Sequence, residues 1–517
     1  MEQNHLKDNV GVKVDDSHSK PLWDTALNPP NRGVLPPAAS LAHSRSSIIT
    51  ELPQAGQGYT QTKDHLFNDI VPGLNDSAIN ANYYGFVTGG VTPAALLADN
   101  IVSAYDQNVC VHLVDHSVAT DVEYAALCLL KDLFGLKKED WPHGTLTTGA
   151  TGSNLVGLAC GREYVLRKAV QKRAASGNIA SGSITYSVGE YGMPAVLEAA
   201  GLKGLQVLST MPHSSVGKVA GILGIGRANV KSIVSKTGES GGQPLKFDFE
   251  LFEKELARPG FATIVSISCG EVNTGRFATK GLEEFRRVRA LCDKYNAWLH
   301  VDAAFGMFGR VLDDSPEFEM IKKGSEGIEL ADSITGDGHK LLNVPYDCGF
   351  FFSRHEDVAE EVFRNPNAVY LSSSAGGHIP TPLNIGVENS RRFRALPVYS
   401  TLVAYGRNGY RAMVERQIRL ARLITGWLQD HPKYTVLGGG ASKEDLIVAT
   451  YVIVLFKAKD EELNARLASL INATGKMFVS GTKWAGETAC RIAISNWKVQ
   501  VEKDLTLVKE VLDEVSR

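Results

Sequence analysis

Apolar positions in the middle of the chain first recur at helical spacing and then collect into short unbroken runs. Residues 122–134 place apolar side chains three and four apart and stop at Gly135, which predicts a helix closed by a glycine. A glycine-rich turn follows, and beyond it Leu155, Leu158, Ala159, Val165 and Leu166 share one side of a second predicted helix. The apolar runs 262–267 and 298–301 are of strand length, with the helical stretch 282–295 between them. Strands spaced by helices predict a mostly parallel sheet covered on both faces, an α/β large domain over residues 111–355.

The flanks read differently. The stretch 1–47 is polar and carries Pro29, Pro30, Pro36 and Pro37, a composition that predicts an extended or disordered arm. Residues 48–110 form an N-terminal helical segment, with helices predicted around 64–70 and 93–103. Beyond Arg354 comes a loop rich in Ser, Gly and Pro, then a long helix carrying Val414, Ile418, Ala421, Ile424 and Leu428 ahead of Pro432. Residues 448–456 read as a buried strand and 501–515 as a closing helix, so 356–517 is expected to be a smaller α+β C-terminal domain. No repeat at solenoid periods is present.

Composition narrows the class. At 517 residues, 44% hydrophobic and 21% charged, the chain exceeds what one small domain needs for a core. A net charge of −3 gives no basic field to draw it onto nucleic acid. The seven cysteines are dispersed without paired CxxC or zinc spacing, which points to a reducing compartment. With neither a signal pattern nor an apolar run of membrane-spanning length, a soluble cytoplasmic protein is expected, without a membrane partner.

Three stretches carry chemistry. In TTGATGSNL, residues 147–155, small residues precede a helix, so backbone N–H groups and the hydroxyls of Thr151 and Ser153 can converge on a phosphate; the same pattern also serves as a plain turn. In WLHVDAAFG, residues 298–306, Asp302 ends a hydrophobic strand, where ligands of open α/β sheets sit. It is placed either to meet a cationic ring nitrogen beside the small Ala303 and Ala304, or to cap the next helix. In ADSITGDGHKLLNVPYDCGFFF, residues 331–352, a His-Lys pair adjoins an apolar run, and a desolvated lysine amine is a nucleophile for carbonyls. A phosphate turn, a strand-end Asp and a His-Lys pair in one α/β lobe follow the order that a pyridoxal 5′-phosphate (PLP) site needs.

These motifs resemble those of the group II PLP-dependent amino-acid decarboxylases, the family of the aromatic-amino-acid, glutamate and histidine decarboxylases. The likeness runs from about Asn80 to the C-terminus and includes HSSVGKVAGILGIGRANV from His213, NTG at 273–275, SRRFRALPVY at 390–399 and GTKWAGETACRIAISNW at 481–497. It implies PLP-dependent fold type I, the aspartate-aminotransferase type, and a homodimer acting on a small-molecule amino acid with release of CO2 and an amine. Carried over by position, it makes Lys340 the Schiff-base lysine, Asp302 the partner of the pyridinium nitrogen, His213 the ring-stacking residue and Ala304 the contact on the other face. Ala150, Thr151 and His339 fall where the family holds the phosphate.

Two departures stand out. The family's mobile loop carries a tyrosine that reprotonates Cα, whereas residues 371–390, LSSSAGGHIPTPLNIGVENS, contain none. His378 is the one near-neutral titrating side chain there and the candidate proton donor. Relatives without the tyrosine divert the reaction to oxygen-dependent deamination, giving an aldehyde. In addition, Asn80-Ala81-Asn82 replaces the family's His-Pro opening; Tyr83, Tyr84 and Phe86 are then either pocket lining or core. Arg391, Arg392 and Arg394 are read as structural, with an acidic substrate or the phosphate as alternatives. A dinucleotide-dependent oxidoreductase would need a GxGxxG after an early strand, which is missing. A non-catalytic scaffold would have no chemical reason to keep Lys340, Asp302 and His213 together.

Overall fold

The computed structural model describes residues 33–177, 186–235, 245–365, 379–440 and 442–517. The chain divides into two compact units, Met1–Asp76 and Ser77–Arg517. In the first, a helix spans Ala38–Ser47, and a second, Gly58–His65, continues through one wider turn at Leu66–Ile70. The predicted extended arm over 1–47 is therefore helical in its last ten residues. Pro37 sits immediately before that helix, a position where its missing N–H removes no helical bond. Asp69 accepts from His43 (2.9 Å) and His65 (2.8 Å) and ties the two helices together.

In the second unit the strands are β1 (Tyr83–Tyr84), β2 (His143–Thr147), β3 (Gly204–Ser209), β4 (Val230–Ser232), β5 (Phe261–Ser268), β6 (Trp298–Asp302), β7 (Ser333–Asp337), β8 (Gly349–Ser353), β9 (Tyr434–Val436), β10 (Ile453–Ala458), β11 (Phe478–Trp484) and β12 (Glu487–Ala493). Seven of them form a sheet of order β2-β8-β7-β6-β5-β3-β4. The pairs from β4 through β7 are parallel and both pairs of β8 are antiparallel, which makes it the mostly parallel sheet that the alternation predicts. Alternate residues point to opposite faces. Val207, Ile264, Trp298 and Phe351 pack in one apolar cluster, whereas their neighbours Leu208, Val265, Leu299 and Phe350 pack in another. Both faces are thus buried.

The smaller sheet has the order β1-β11-β12-β10-β9. Its core takes in Tyr84, Leu420, Ile424 and Leu428 from the long helical stretch Ala395–Asp430, and Val508 and Leu512 from the closing helix Val501–Val515. The predicted strand 448–456 needs correction: Val448 ends a short helix, Lys443–Val448, and the strand starts at Ile453. The β-branched run there is split because Ser442 caps that helix by accepting from Asp445 N–H.

Two close approaches position the functional residues. Helix Ala150–Ala175 lies directly on β6 because Gly157 and Gly161 face it; a Cβ at these positions would come within 2.5 Å of His300 and 2.7 Å of Trp298. On the other side, Gly89 passes against the loop after β7, where a Cβ would lie 1.8 Å from the Lys340 carbonyl oxygen. Among the described residues no helix is long and apolar enough to cross a membrane.

Gly89→Ala is expected to force Lys340 away from its position, costing about 1–3 kcal/mol as other overpacked sites do. Thermal unfolding and borohydride trapping of added pyridoxal phosphate on Lys340 check this. An unchanged midpoint with undiminished labelling would contradict the close packing.

Candidate functional site

A cavity of about 350 Å³ opens at the carboxyl ends of the central strands, lined by Ser268 from β5, Asp302 from β6 and Asp337 from β7. Parallel strands bring all these ends to one side, which is where open α/β sheets hold ligands. Ala150, Thr151, His213, Asp302, Ala304, His339 and Lys340, which the motifs single out separately, line this cavity together.

One end of the cavity is an anion cradle. Helix Ala150–Ala175 begins there without a side-chain cap. The N–H groups of Thr151 and Gly152 have no partner among the described residues and carry the positive end of the helix. The resemblance carries Ala150 to the phosphate and the glycine-rich turn offers the Ser153 hydroxyl; in the structure both groups have protein partners. Ala150 donates its N–H to Asp337 Oδ1 at 2.6 Å, and the Ser153 hydroxyl is buried against Thr147 Oγ1 at 2.6 Å. His339 donates Nδ1–H to the Cys348 carbonyl (3.0 Å), so its neutral ring offers Nε2 only as an acceptor. Burial lowers its pKa, with Asp337 opposing and Lys340 reinforcing the shift. A phosphate would therefore engage His339 as a donor only once the ring is protonated.

Lys340 Nζ pairs with Asp337 Oδ2 at 2.8 Å and stands 5.7 Å from the Phe305 ring centroid. The sequence predicts an amine among apolar neighbours; the buried Asp337 carboxylate is its additional partner. Asp337 thus bridges the helix N-terminus and the lysine, one oxygen to each.

The buried network beneath the cavity escapes motif reading. Asn154 donates from Nδ2 to Asp302 Oδ2 (2.9 Å) and to Ser215 Oγ (3.1 Å), and its Oδ1 lies 2.9 Å from His300 Nε2. His300 Nδ1 meets Ser333 Oγ at 2.7 Å, and Trp298 Nε1 donates to the same hydroxyl at 3.0 Å. The second Asp302 oxygen accepts from Ala304 N–H at 3.3 Å. Strand alternation puts His300 and Asp302 on one face, so this pairing carries a sequence signal; Asn154, a helix away, carries none.

His213 precedes helix Ser214–Ile222 and accepts the Ser215 N–H at Nδ1 (3.2 Å), which fixes its remaining ring proton on Nε2. Desolvation lowers its pKa, Asp302 opposing and Lys340 adding to the effect. Arg491, on β12, donates Nε to the carbonyl of Val272, a lining residue, at 2.6 Å. Its Nη2 is buried and has no hydrogen-bond partner among the described residues, and burial brings its pKa down to about 10.

Several candidates lie elsewhere. Tyr83 stacks on Phe478 at 4.6 Å and Tyr84 is buried in the core of the smaller sheet; neither lines the cavity, nor does the exposed Phe86. The three arginines are structural: Arg391 makes a buried bidentate pair with Glu123, Arg392 reaches Asp99 (2.6 Å), and Arg394 reaches Glu388 (3.0 Å) and Asp347 (3.3 Å). His378 lies outside the described residues.

The sequence profile described as the pyridoxal-dependent decarboxylase conserved domain matches residues 45–445. The chain is 27% identical over 385 residues to an L-2,4-diaminobutyrate decarboxylase of Acinetobacter baumannii, covering 72% of this chain and 68% of that one. It is 23% identical over 492 residues to a 3,4-dihydroxyphenylacetaldehyde synthase of Aedes aegypti, covering 93% and 84%. The crystal structure of Oryza sativa TDC with PLP and tryptamine shares the fold, with a TM-score of 0.76 at 21% identity over 98% of both chains.

The network predicts a pH dependence of stability. Burial holds His300 at a pKa of about 4 and His143 at about 3, below the usual histidine value of about 6.5. A base depressed in the folded state takes up protons preferentially when unfolded. Its contribution is therefore complete above pH 6.5 and is lost as pH falls toward 4, on the order of 3 kcal/mol for His300. Urea midpoints should hold between pH 7.5 and about 6.5 and fall from there to pH 4.5; a flat profile down to pH 4.5 would contradict the buried neutral assignment.

Proposed function

The chain belongs to the pyridoxal-dependent decarboxylase family, and from that premise we propose how its own residues run the reaction. It is a PLP-dependent carboxy-lyase of amino acids. When bound, the cofactor supplies an electron sink for the pair left on Cα as CO2 departs. What carries the assignment of residues is one observation: an amine, a strand-end carboxylate and open helix N–H groups surround a single cavity.

That donor set suits PLP. Lys340 would carry the cofactor, with Asp337 holding Nζ in place beforehand. Asp302, oriented by Asn154 and the Ala304 N–H, would keep a proton on the pyridine nitrogen. His213 and Ala304 would take the two ring faces, and Thr151, Gly152 and a protonated His339 the phosphate. Arg491 would meet the substrate carboxylate, because that contact would satisfy its buried Nη2. A homodimer in a reducing, cytoplasmic compartment completes the proposal; all seven cysteines being free supports the compartment.

A second reading concerns the product. The stretch 371–390 lacks a tyrosine, and one relative is named an aldehyde synthase. His378 is the residue we assign to return the proton to Cα and so keep the amine as product.

Incubation with PLP and a panel of amino acids, following CO2, amine, aldehyde and peroxide, tests both readings. Lys340→Ala is expected to lose the absorbance band of lysine-bound cofactor and essentially all CO2 release; persistence of the band without added amine would sink the assignment. His378→Asn is expected to shift the product from amine toward aldehyde with peroxide. An unchanged product ratio would remove His378 from the proton path.

A further inference from the structure

Another cavity of the second unit, about 530 Å³, shares no lining residue with the cofactor cavity. Its walls come from the segment after β5 (Arg276 to Lys280), the helix Glu319–Gly324, and the C-terminal stretches at 438–440 and 445–449. Phe277, Met320, Ile321 and Val448 make much of it apolar. The volume is that of a small-molecule site.

Arg276 is one of four cationic side chains in this lining, with Lys246, Lys280 and Lys323. Its Nη2 donates to the Gly439 carbonyl at 3.3 Å, whereas its Nη1 is buried and has no hydrogen-bond partner among the described residues. Among the described residues no carboxylate lies within ion-pair distance of it, although Glu284, Glu319 and Asp445 also line the cavity. Glu319 is taken by Lys323 at 2.6 Å. The neighbouring guanidinium, Arg422, is committed to the carbonyls of Thr450 (3.2 Å), Glu317 (2.5 Å) and Val448 (2.5 Å). Desolvation, with the Arg422 charge adding, brings the Arg276 pKa down to about 10. A buried cation without a counter-charge is costly, and an anion delivered from solvent removes that cost.

We propose that this cavity binds a small amphipathic monocarboxylate, whose carboxylate pairs with the Arg276 guanidinium and whose apolar body lies against Phe277, Met320 and Val448. Arg276, Lys246, Lys280 and Lys323 against Glu284, Glu319 and Asp445 leave the lining one positive charge in excess, which calls for one negative charge, and the apolar walls call for a hydrocarbon body of modest length. The site is separate from the residues around Lys340 and does not depend on their chemistry.

The test uses the PLP-loaded full chain, with 4-(4-bromophenyl)butyrate as probe and 4-(4-bromophenyl)butanol as its uncharged counterpart. Calorimetry should show the acid binding, the alcohol binding at least about tenfold more weakly, and the acid losing at least about tenfold in Arg276→Met. Met320→Trp, which obstructs the cavity and keeps the guanidinium, should also lose binding, and it serves alone if Arg276→Met fails to fold. Bromine anomalous scattering from crystals soaked with the acid should place the probe beside Arg276. The proposal is overturned if the acid does not bind, if alcohol and acid bind equally, if both variants bind as wild type does, or if bromine appears only beside Lys340.

Discussion

Asn154 makes hydrogen bonds to three side chains on two elements at once, and the geometry of the cofactor cavity follows from them. It sits in the first turns of helix Ala150–Ala175, reaches Asp302 and His300 on β6, and holds Ser215 at the start of the helix that His213 caps. The glycines at 157 and 161 permit this by letting the helix lie against the strand. Such a network is valuable only when complete, since each buried polar group left alone costs about 1–3 kcal/mol. Helix, strand and loop are therefore locked in one register beneath the ring site.

A second bridge, Asp337, does for the helix N-terminus and Lys340 what Asn154 does for the strand-end carboxylate. One carboxylate spans the helix N-terminus and the lysine amine, so cradle and amine keep a fixed separation. Both bridges lie at the carboxyl ends of parallel strands, where the sheet itself leaves space and backbone polarity to be used. The division of labour is plain: apolar clusters on both faces fix the sheet, and two short polar side chains fix what the sheet presents.

Much of this was legible in the sequence because motifs and periodicity are local. Gly-rich turn, strand-end Asp302 and the His-Lys pair each announce themselves within ten residues, and the alternation of helices and short apolar runs predicts the main sheet. What escaped depends on partners far along the chain. Asn154 stood inside a quoted motif yet its partners lie on β6, Arg491 needs the folded small sheet to approach Val272, and Asp337 looks like a loop residue until Lys340 folds back on it. Tyr83 and Tyr84 looked equally suited to pocket or core, and pairing with β11 decided for the core. The valine-rich run near 448 misled because a serine cap outweighed β propensity.

The sheet order carries a consequence for how the protein is made. Strand β2 leads into the cradle, but its ladder partner is β8, His143 pairing with Ser353. During synthesis the cradle-bearing segment leaves the ribosome long before the strand that seats it, and the lysine at 340 emerges between the two. The edge of β2 stays unpaired throughout that interval and is open to wrong partners. A nascent chain interrupted before residue 349 thus carries Lys340, Asp302 and His213 without the ladder that seats β2.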